Sequence, residues 1–351
     1  MNERSERVTV PEALSGERVD RAMSLLTGRS RSETADMVAQ GRVLIDGEQV
    51  TTRSVRLSAG STVEVTPQRS ATSAAERRHE AVPFEVLHAD ADVVVVNKPA
   101  GVVTHPGSGH ASGTLADALV ERFPDMADAG QPGRPGIVHR LDRGTSGALV
   151  CARNRAAYDA LVEQLSQRLV VRIYAALASG RPPAETGTID APIGRDQTHR
   201  MRMAVTSDGR WARTHYRVAE MFTHPVEASL LRCRLETGRT HQIRVHLAAV
   251  GLPLLGDLAY GVPDPVGIGR PLLHACRLSF RHPTSGADVD IEAPMPADFD
   301  RALTAFGSTV SAAVLSAEFP PAIDTSQRGC SASHFGHGAR PRETSATAAR
   351  L

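Results

Sequence analysis

Four consecutive valines, residues 93–96 in "DVVVVNKPAG", constrain the fold more than any other feature of the chain. A β-branched run this short, closed by a Pro/Gly turn, predicts a strand buried on both faces rather than a piece of helix. Similar runs recur in "GALVCARN", "LVVRIYAALASG", "ASLLRCRLE", "LLHACRLSFRHP" and "DVDIEAPMP". Helical spacing is confined to segments such as "RAAYDALVEQLSQR" and a stretch opening at Thr114 in "GTLADALVERF". Strands predominate and do not alternate strictly with helices. This predicts an α+β domain with a mixed or antiparallel central sheet flanked by helices, not a doubly wound array.

The N-terminal part reads as a separate small unit. "RVDRAMSLL" sets Val19, Met23 and Leu26 on one helical face, and "SRSETADMVAQG" continues with Ser30 or Ser32 as N-cap and Gly41 as C-cap. "RVLIDGEQV" then alternates around Asp46-Gly47, a two-residue hairpin signal. The expected layout is a flexible N-terminus over 1–16, a small α+β domain over 17–66 and a polar linker over 67–82. The large domain follows over 83–306, with a Ser/Ala/Thr/Gly-rich tail over 307–351 expected to be disordered.

Composition narrows the function classes. Hydrophobic residues make up 41% and charged residues 23%, as in ordinary globular proteins, and no apolar run reaches the roughly 18 residues of a membrane span. The first residues carry no apolar stretch of signal-peptide type, so a cytoplasmic location is expected. Cys151, Cys233, Cys276 and Cys330 lie far apart, which predicts reduced thiols rather than a disulfide framework or zinc site. His241 and His246 are not at the i, i+4 spacing of a helical metal pair, and "GSGHASG" lacks the lysine of a phosphate-binding loop. Net charge is +1, yet Lys98 is the sole lysine among 40 basic residues. Arginine's planar fork suits phosphates and base edges; arginine-rich codon usage explains the same bias equally well.

The chemistry concentrates in "GIVHRLDRGTSGALV", where Asp142 stands between Arg140 and Arg143 in a turn leading into an apolar run. It is either a salt-bridged turn or an acid placed for chemistry on an anionic substrate. A carboxylate among guanidiniums suits a nucleophile or base and not a general acid. No second acid stands beside it as in a glycosidase pair, and no G-x-S-x-G elbow is present. Tyr174 lies in an otherwise apolar strand, where its hydroxyl needs a partner. "ETGRTHQIRVHL" groups Arg239, His241, Arg244 and His246 about a turn into a helix; a buried Arg244 would need a carboxylate, for which Asp142 is a candidate. Arg195, Arg200, Arg202, Arg210, Arg213 and Arg217 form a basic ribbon with Trp211 and Tyr216 interleaved. The ribbon suits phosphates and unpaired bases, or else is an exposed hairpin covered in arginine.

Taken in order, "GIVHRLDRGTSG", "RIYAAL", "PIGRD…HRMRMAV", "ETGRTHQIRVHLAAVGLPLLGD" and "LLHACRLSFRHP" resemble the RluA family of RNA pseudouridine synthases over about residues 84–295. The small unit, from "GERVDRAMS" to "GSTVEV", resembles the RNA-binding module named after ribosomal small-subunit protein four. The resemblance implies a pseudouridine synthase fold and isomerisation of uridine to pseudouridine, most like members acting on large-subunit ribosomal RNA. It implies Asp142 as the catalytic aspartate and Arg140 as the arginine filling the space of a flipped uridine. Tyr174 would stack on the base and remove its C5 proton, Arg244 would pair with the aspartate, and Leu273 would form an apolar floor. Arg29, Arg31 and Arg42 of the small unit, with Arg195, Arg200 and Arg202, would contact RNA. Arg172 and Arg202 stand where lysine is commoner in the family. Neither a cofactor nor a metal is implied, since the reaction involves no redox change, and a monomer is expected. The competing readings are a non-catalytic RNA-binding or ribosome-assembly factor and an RNA base hydrolase using the same acid.

Overall fold

The computed structural model describes residues 6–28, 34–35, 37–38, 41–65, 82–106, 112–131, 133–199, 202–317, 319 and 347–349. The chain divides into two compact units, Met1–His79 and Glu80–Leu351. The linker expected over 67–82 lies outside the described residues except for its last position.

In the first unit, helix α1 (Val19–Thr27) buries Val19, Ala22 and Met23 and ends at Gly28, whose left-handed φ of 69° releases the chain. Residues 34, 35, 37 and 38 are also helical, and the Thr34 hydroxyl donates to the Asp20 carbonyl at 2.8 Å. Four strands, β1 (Glu6–Thr9), β2 (Val43–Ile45), β3 (Glu48–Val50) and β4 (Thr62–Val65), pair antiparallel in the order β1-β4-β2-β3. The Asp46-Gly47 hairpin forms as the sequence predicts, both residues at positive φ (51° and 88°). Val10, Val43, Leu57, Val63 and Val65 complete the core with Met23.

The second unit opens with β5 (Glu85–Ala89), β6 (Val93–Lys98), helix α2 (Leu115–Arg122) and the short pair β7 (Gly130–Gln131) and β8 (Arg134–Pro135). Next come β9 (Ser146–Ala152), α3 (Arg155–Ser166), β10 (Val171–Ser179), β11 (Thr186–Asp190), β12 (Ile193–Arg195) and β13 (Met203–Val205). The chain continues through β14 (Arg213–Phe222), β15 (Ala228–Leu235), α4 (Gln242–Ala249), β16 (Leu273–Arg281), β17 (Asp288–Glu292), α5 (Ala297–Ala305), α6 (Ala312–Ser316) and β18 (Thr347–Ala349). The main sheet runs β18-β11-β14-β15-β10-β16-β9-β6-β5, with β17 pairing β16. All its pairings are antiparallel except β9 with β16 and β11 with β18, so the sheet is mixed.

Alternation along the strands sends successive side chains to opposite faces, and each face is covered. Val94, Val96, Leu149, Tyr174 and Ala275 face one way and pack with α2 and α4. Val93, Val95 and Val150 face the other way beneath α3, and Ile173, Leu177 and Cys276 beneath α5 and α6. Thr114 caps α2 with a reciprocal bond to Asp117, as its position before the apolar spacing suggests. Cys151, Cys233 and Cys276 are free and buried; Cys330 lies outside the described residues.

Three expectations are corrected. The N-terminus, expected to be flexible over 1–16, belongs to the first unit from Glu6 onward: Glu6–Thr9 pairs with β4 and Val10 is buried in the core. Residues 307–317, assigned to a disordered tail, pack against the sheet: Leu315 is buried and Arg277 Nη1 donates to the Ser316 carbonyl at 3.0 Å. Arg232 Nε likewise reaches the Leu315 carbonyl at 3.2 Å, and Thr347–Ala349 pairs with β11. Tyr216 does not sit on the surface of the basic ribbon. It falls on the inward side of β14 with Thr214 and belongs to the core.

The parallel contact of β9 with β16 sets the chain up for what precedes it. Ser146 pairs with His274 and Gly147 with Ala275. Burial pushes the His274 imidazole down to about 4. In the neutral ring Nε2 donates to the Ala293 carbonyl (3.3 Å), leaving Nδ1 to accept from the Ser146 hydroxyl (3.0 Å). Gly147 has φ of 117°, and a Cβ there would collide with the Ala275 backbone. Gly147→Ala is therefore expected to destabilise the protein by about 2–5 kcal/mol, from strained backbone plus overpacking. Denaturant unfolding checks this, and a loss below about 1 kcal/mol would contradict it.

Candidate active site

Asp142 lies in the loop that feeds β9, and that loop is held by its backbone. The Leu141 carbonyl accepts from Thr104 Oγ1 (2.7 Å) and the Arg143 carbonyl from the Gly101 N–H (2.7 Å). Thr145 N–H donates to the Asp142 carbonyl (3.0 Å), and Arg270 Nη1 donates to that of Gly144 (3.1 Å). The clamp segment is itself fixed by Lys98, fully buried, whose Nζ donates to the carbonyls of Pro99 and Val102, each at 2.8 Å. Burial pushes this ammonium down to about 7, with Asp142 pulling the other way.

Arg244 stands on the first turn of α4, just after His241, a non-glycine residue in left-handed conformation (φ 57°). Its Nε and Nη2 donate to the two oxygens of Asp257 at 2.7 and 2.8 Å, while Nη1 donates to Asp142 Oδ2 at 3.1 Å. The side chains of Arg244, Asp142 and Asp257 are 10%, 14% and 1% exposed. Burial alone would lower the Arg244 pKa, but bonding to Asp257 and the charges of Asp142 and Asp257 raise it above its ordinary value. Burial likewise opposes ionisation of Asp257, and the Arg244 bonds with the Ala259 and Tyr260 N–H groups outweigh it, so its pKa is lowered. The Tyr260 ring lies under the guanidinium (4.9 Å), and its hydroxyl accepts from the Met203 N–H and pairs with His241 Nδ1, each at 2.7 Å.

These groups border a cavity of about 540 Å³. Asp142, Arg140, Tyr174, Arg244 and Leu273, all singled out in the sequence, line this one space. Arg140 is exposed at its rim, with Nη1 3.4 Å from His105 Nε2. Tyr174 is buried on β10, and its hydroxyl has no hydrogen-bond partner among the described residues, contrary to expectation. Burial pushes that hydroxyl up to about 12, with Arg172 lowering it and Asp142 raising it. Asp142 Oδ1 likewise has no partner among the described residues, so one carboxylate oxygen is open to a molecule in the cavity. His246 is a core residue, bonded to Thr214 Oγ1 and the Ala191 carbonyl, both at 2.9 Å.

The remaining candidates are not gathered here. Arg195, exposed, and Arg202 flank the β12–β13 hairpin and do not line the cavity; Arg42 belongs to the first unit. Arg29, Arg31 and Arg200 lie outside the described residues. Sequence reasoning missed Asp257. Its signal was available: it is the one acid in "HLAAVGLPLLGDLAYG", and a carboxylate in so apolar a stretch requires a cation.

A cleft with one open carboxylate oxygen, a buried tyrosine and an arginine-lined rim belongs to an enzyme that works on a polyanion. A family model described as RNA pseudouridylate synthase matches residues 92–249, and an S4 domain model matches residues 17–63. An uncharacterised RNA pseudouridine synthase of Chloroflexus aurantiacus is 47% identical, covering 83% of this chain and 90% of its own. The ribosomal large subunit pseudouridine synthase D of Nitrosomonas europaea is 42% identical over 87% of this chain and 88% of its own. The structure of human RNA pseudouridylate synthase domain containing 4 shares the fold, at 24% identity and a TM-score of 0.50, over 65% of this chain and 95% of its own. The chain belongs to the RNA pseudouridine synthases, enzymes that isomerise uridine to pseudouridine in RNA. It carries an RNA-binding S4 domain.

Asp257 does not line the cavity but holds Arg244, which does. Asp257→Asn keeps the shape while removing the charge, and should lower kcat by about 10- to 100-fold, as loss of an orienting carboxylate does elsewhere. Steady-state kinetics with RNA checks this; an unchanged kcat would show that Asp142 is positioned without it.

Proposed function

We propose that the protein isomerises specific uridines of large-subunit ribosomal RNA, with Asp142 as the reacting carboxylate. The observation that carries this reading is the meeting of Asp142, its oxygen Oδ1 open, with Arg244 at 3.1 Å and with Tyr174 and Leu273 along one cavity. The choice of RNA rests on relatives named for the large ribosomal subunit, such as those of Nitrosomonas europaea and Xanthomonas campestris, each 42% identical. Such a substrate implies work in the cytoplasm. One chain supplies every group named here, so the reading needs only a monomer.

A stacked uridine must first leave its helix, at roughly a few kcal/mol. Arg140, exposed at the rim, fills the vacated space and offsets part of that cost. The uracil enters between the Tyr174 ring and Leu273. Asp142 Oδ1 engages the nucleoside as the glycosidic N1–C1′ bond breaks, while Arg244 keeps the carboxylate oriented. The ring turns, C5 bonds to C1′, the C5 proton leaves to Tyr174 and a proton is taken up at N1. Atoms are conserved and nothing is oxidised, so the reading includes no cofactor or metal.

Asp142→Asn should abolish pseudouridine formation by about 10³-fold or more while RNA affinity stays within about threefold. Tritium release from 5-tritiated uridine RNA and filter binding measure the two; retained turnover would remove Asp142 from its role. Mass spectrometry separates the competing activities, because isomerisation leaves RNA mass unchanged and a hydrolase would release uracil. Pseudouridine sequencing of ribosomal RNA from a deletion strain identifies the target, and no change in large-subunit RNA would overturn the substrate assignment.

With its pKa at about 12, Tyr174 is protonated at rest, and the phenolate that accepts the C5 proton grows about tenfold per pH unit below that value. Where proton removal limits turnover, the single-turnover rate should therefore rise with pH through the neutral range. Tyr174→Phe should lower it by about 10²- to 10⁴-fold with little change in RNA affinity. A Phe variant within about tenfold of wild type would leave Tyr174 with stacking alone.

A further inference from the structure

One wall of the cavity carries aromatic and cationic surface that the reacting centre does not use. Trp211, the only tryptophan of the chain, lies against the guanidiniums of Arg168 (4.5 Å) and Arg213 (5.2 Å), with 36% of its surface exposed. Its indole N–H donates to Asp190 Oδ1 (2.7 Å) and its carbonyl accepts from Arg239 Nε (3.0 Å). Arg213 is tied to the same Asp190 (2.6 Å), so the ring is held at its edge and through its backbone. Arg168 is one of three non-glycine residues at positive φ (62°) among the described residues, a backbone state retained where surrounding structure enforces it. Here it accompanies a guanidinium laid over the Trp211 ring.

Arg172 is the second observation. It is only 6% exposed and lines the same cavity, yet its Nε has no partner and Nη2 makes one long contact, 3.5 Å, to the Glu236 carbonyl. The Glu236 carboxylate is occupied elsewhere, by His215 (2.7 Å), Arg213 (3.7 Å) and Arg168 (3.8 Å). Gly238 leaves room for the fork, since a Cβ there would stand 2.9 Å from Arg172 Nη1. A guanidinium buried without a carboxylate is unfavourable unless an anion completes it. Arg239 stands beside it on the cavity wall, its pKa lowered by burial and by neighbouring Arg210.

We propose that this wall is a binding subsite for the nucleotide adjoining the target uridine, whose base stacks on Trp211 and whose linking phosphate completes Arg172. The proposal rests on the reading of the cavity as a uridine-isomerising centre. It makes the enzyme hold two consecutive nucleotides, the reacting one near Asp142 and its neighbour along the arginine-tryptophan wall. Stacking tolerates any base, so the subsite favours an unpaired neighbour rather than a particular sequence.

The single tryptophan reports directly on its own occupancy. In full-length Asp142→Asn protein, titration with the trinucleotide ApUpA should quench its fluorescence, and the same trinucleotide with abasic flanking positions should quench much less. In the otherwise wild-type enzyme, Trp211→Ala should raise KM for a large-subunit RNA transcript about tenfold, with a much smaller effect on kcat. Trp211→Phe keeps an aromatic face and should stay close to wild type, which separates stacking from misfolding. Arg172→Gln should raise KM and flatten the salt dependence of binding by about one unit of slope, and Arg172→Lys should restore the slope. Emission that ignores ApUpA, or a Trp211→Ala KM within about twofold of wild type, would overturn the subsite. Those outcomes leave the isomerase reading intact if wild-type enzyme still makes pseudouridine; an enzyme that binds RNA and makes none refutes that reading instead.

Discussion

Arg244 divides one guanidinium between two carboxylates, giving both oxygens of Asp257 two of its donors and Asp142 a third. The division is unequal in a useful way. Asp257 is sealed in and serves as the fixed anchor, whereas Asp142 keeps one oxygen toward the cavity. Removing either acid leaves a partly buried cation under-compensated, the situation in which breaking an ion pair is most costly. The arrangement aims a negative oxygen by a rigid planar fork, which a flexible ammonium would not do.

The rest of the larger unit bears on the same small region. The parallel pairing of β9 with β16 fixes where the Asp142 loop ends, and Gly147 permits the close approach. The buried Lys98 holds the segment onto which that loop is hydrogen-bonded. β10 brings Tyr174 and Arg172 into the cavity, and α4 brings Arg244. Four sequence-distant segments therefore converge on one carboxylate, so local damage at any of them has a route to the chemistry.

Much of this was legible in the sequence where one physical cause acts locally. The valine run, the Asp46-Gly47 turn and the helix start at Thr114 depend on neighbours within a few positions, and each is found as expected. Asp142 stood out because a carboxylate among arginines before an apolar run is chemically unusual, and Arg244 because a helix turning inward cannot bury a cation alone. Asp257 was passed over because its cation lies 13 residues away: the apolar stretch around it signals that a partner is needed but not which residue supplies it. Tyr216 was misjudged because neighbouring arginines suggest surface, while the two-residue strand period in fact turns it inward with Thr214. Residues 307–317 looked like tail because small polar residues carry no periodic signal, and what docks them is distant in sequence: the core that takes Leu315, and Arg232 and Arg277, which bond the carbonyls of Leu315 and Ser316.

A crystal structure of the enzyme with an RNA fragment spanning a mapped target tests the central claim most directly. The account predicts a uridine turned out of its helix, Asp142 Oδ1 about 3–3.5 Å from the nucleoside, and Arg244 still bridging both acids. A bound uridine remote from Asp142, or an Asp142 side chain swung away from Arg244 into solvent, would contradict it.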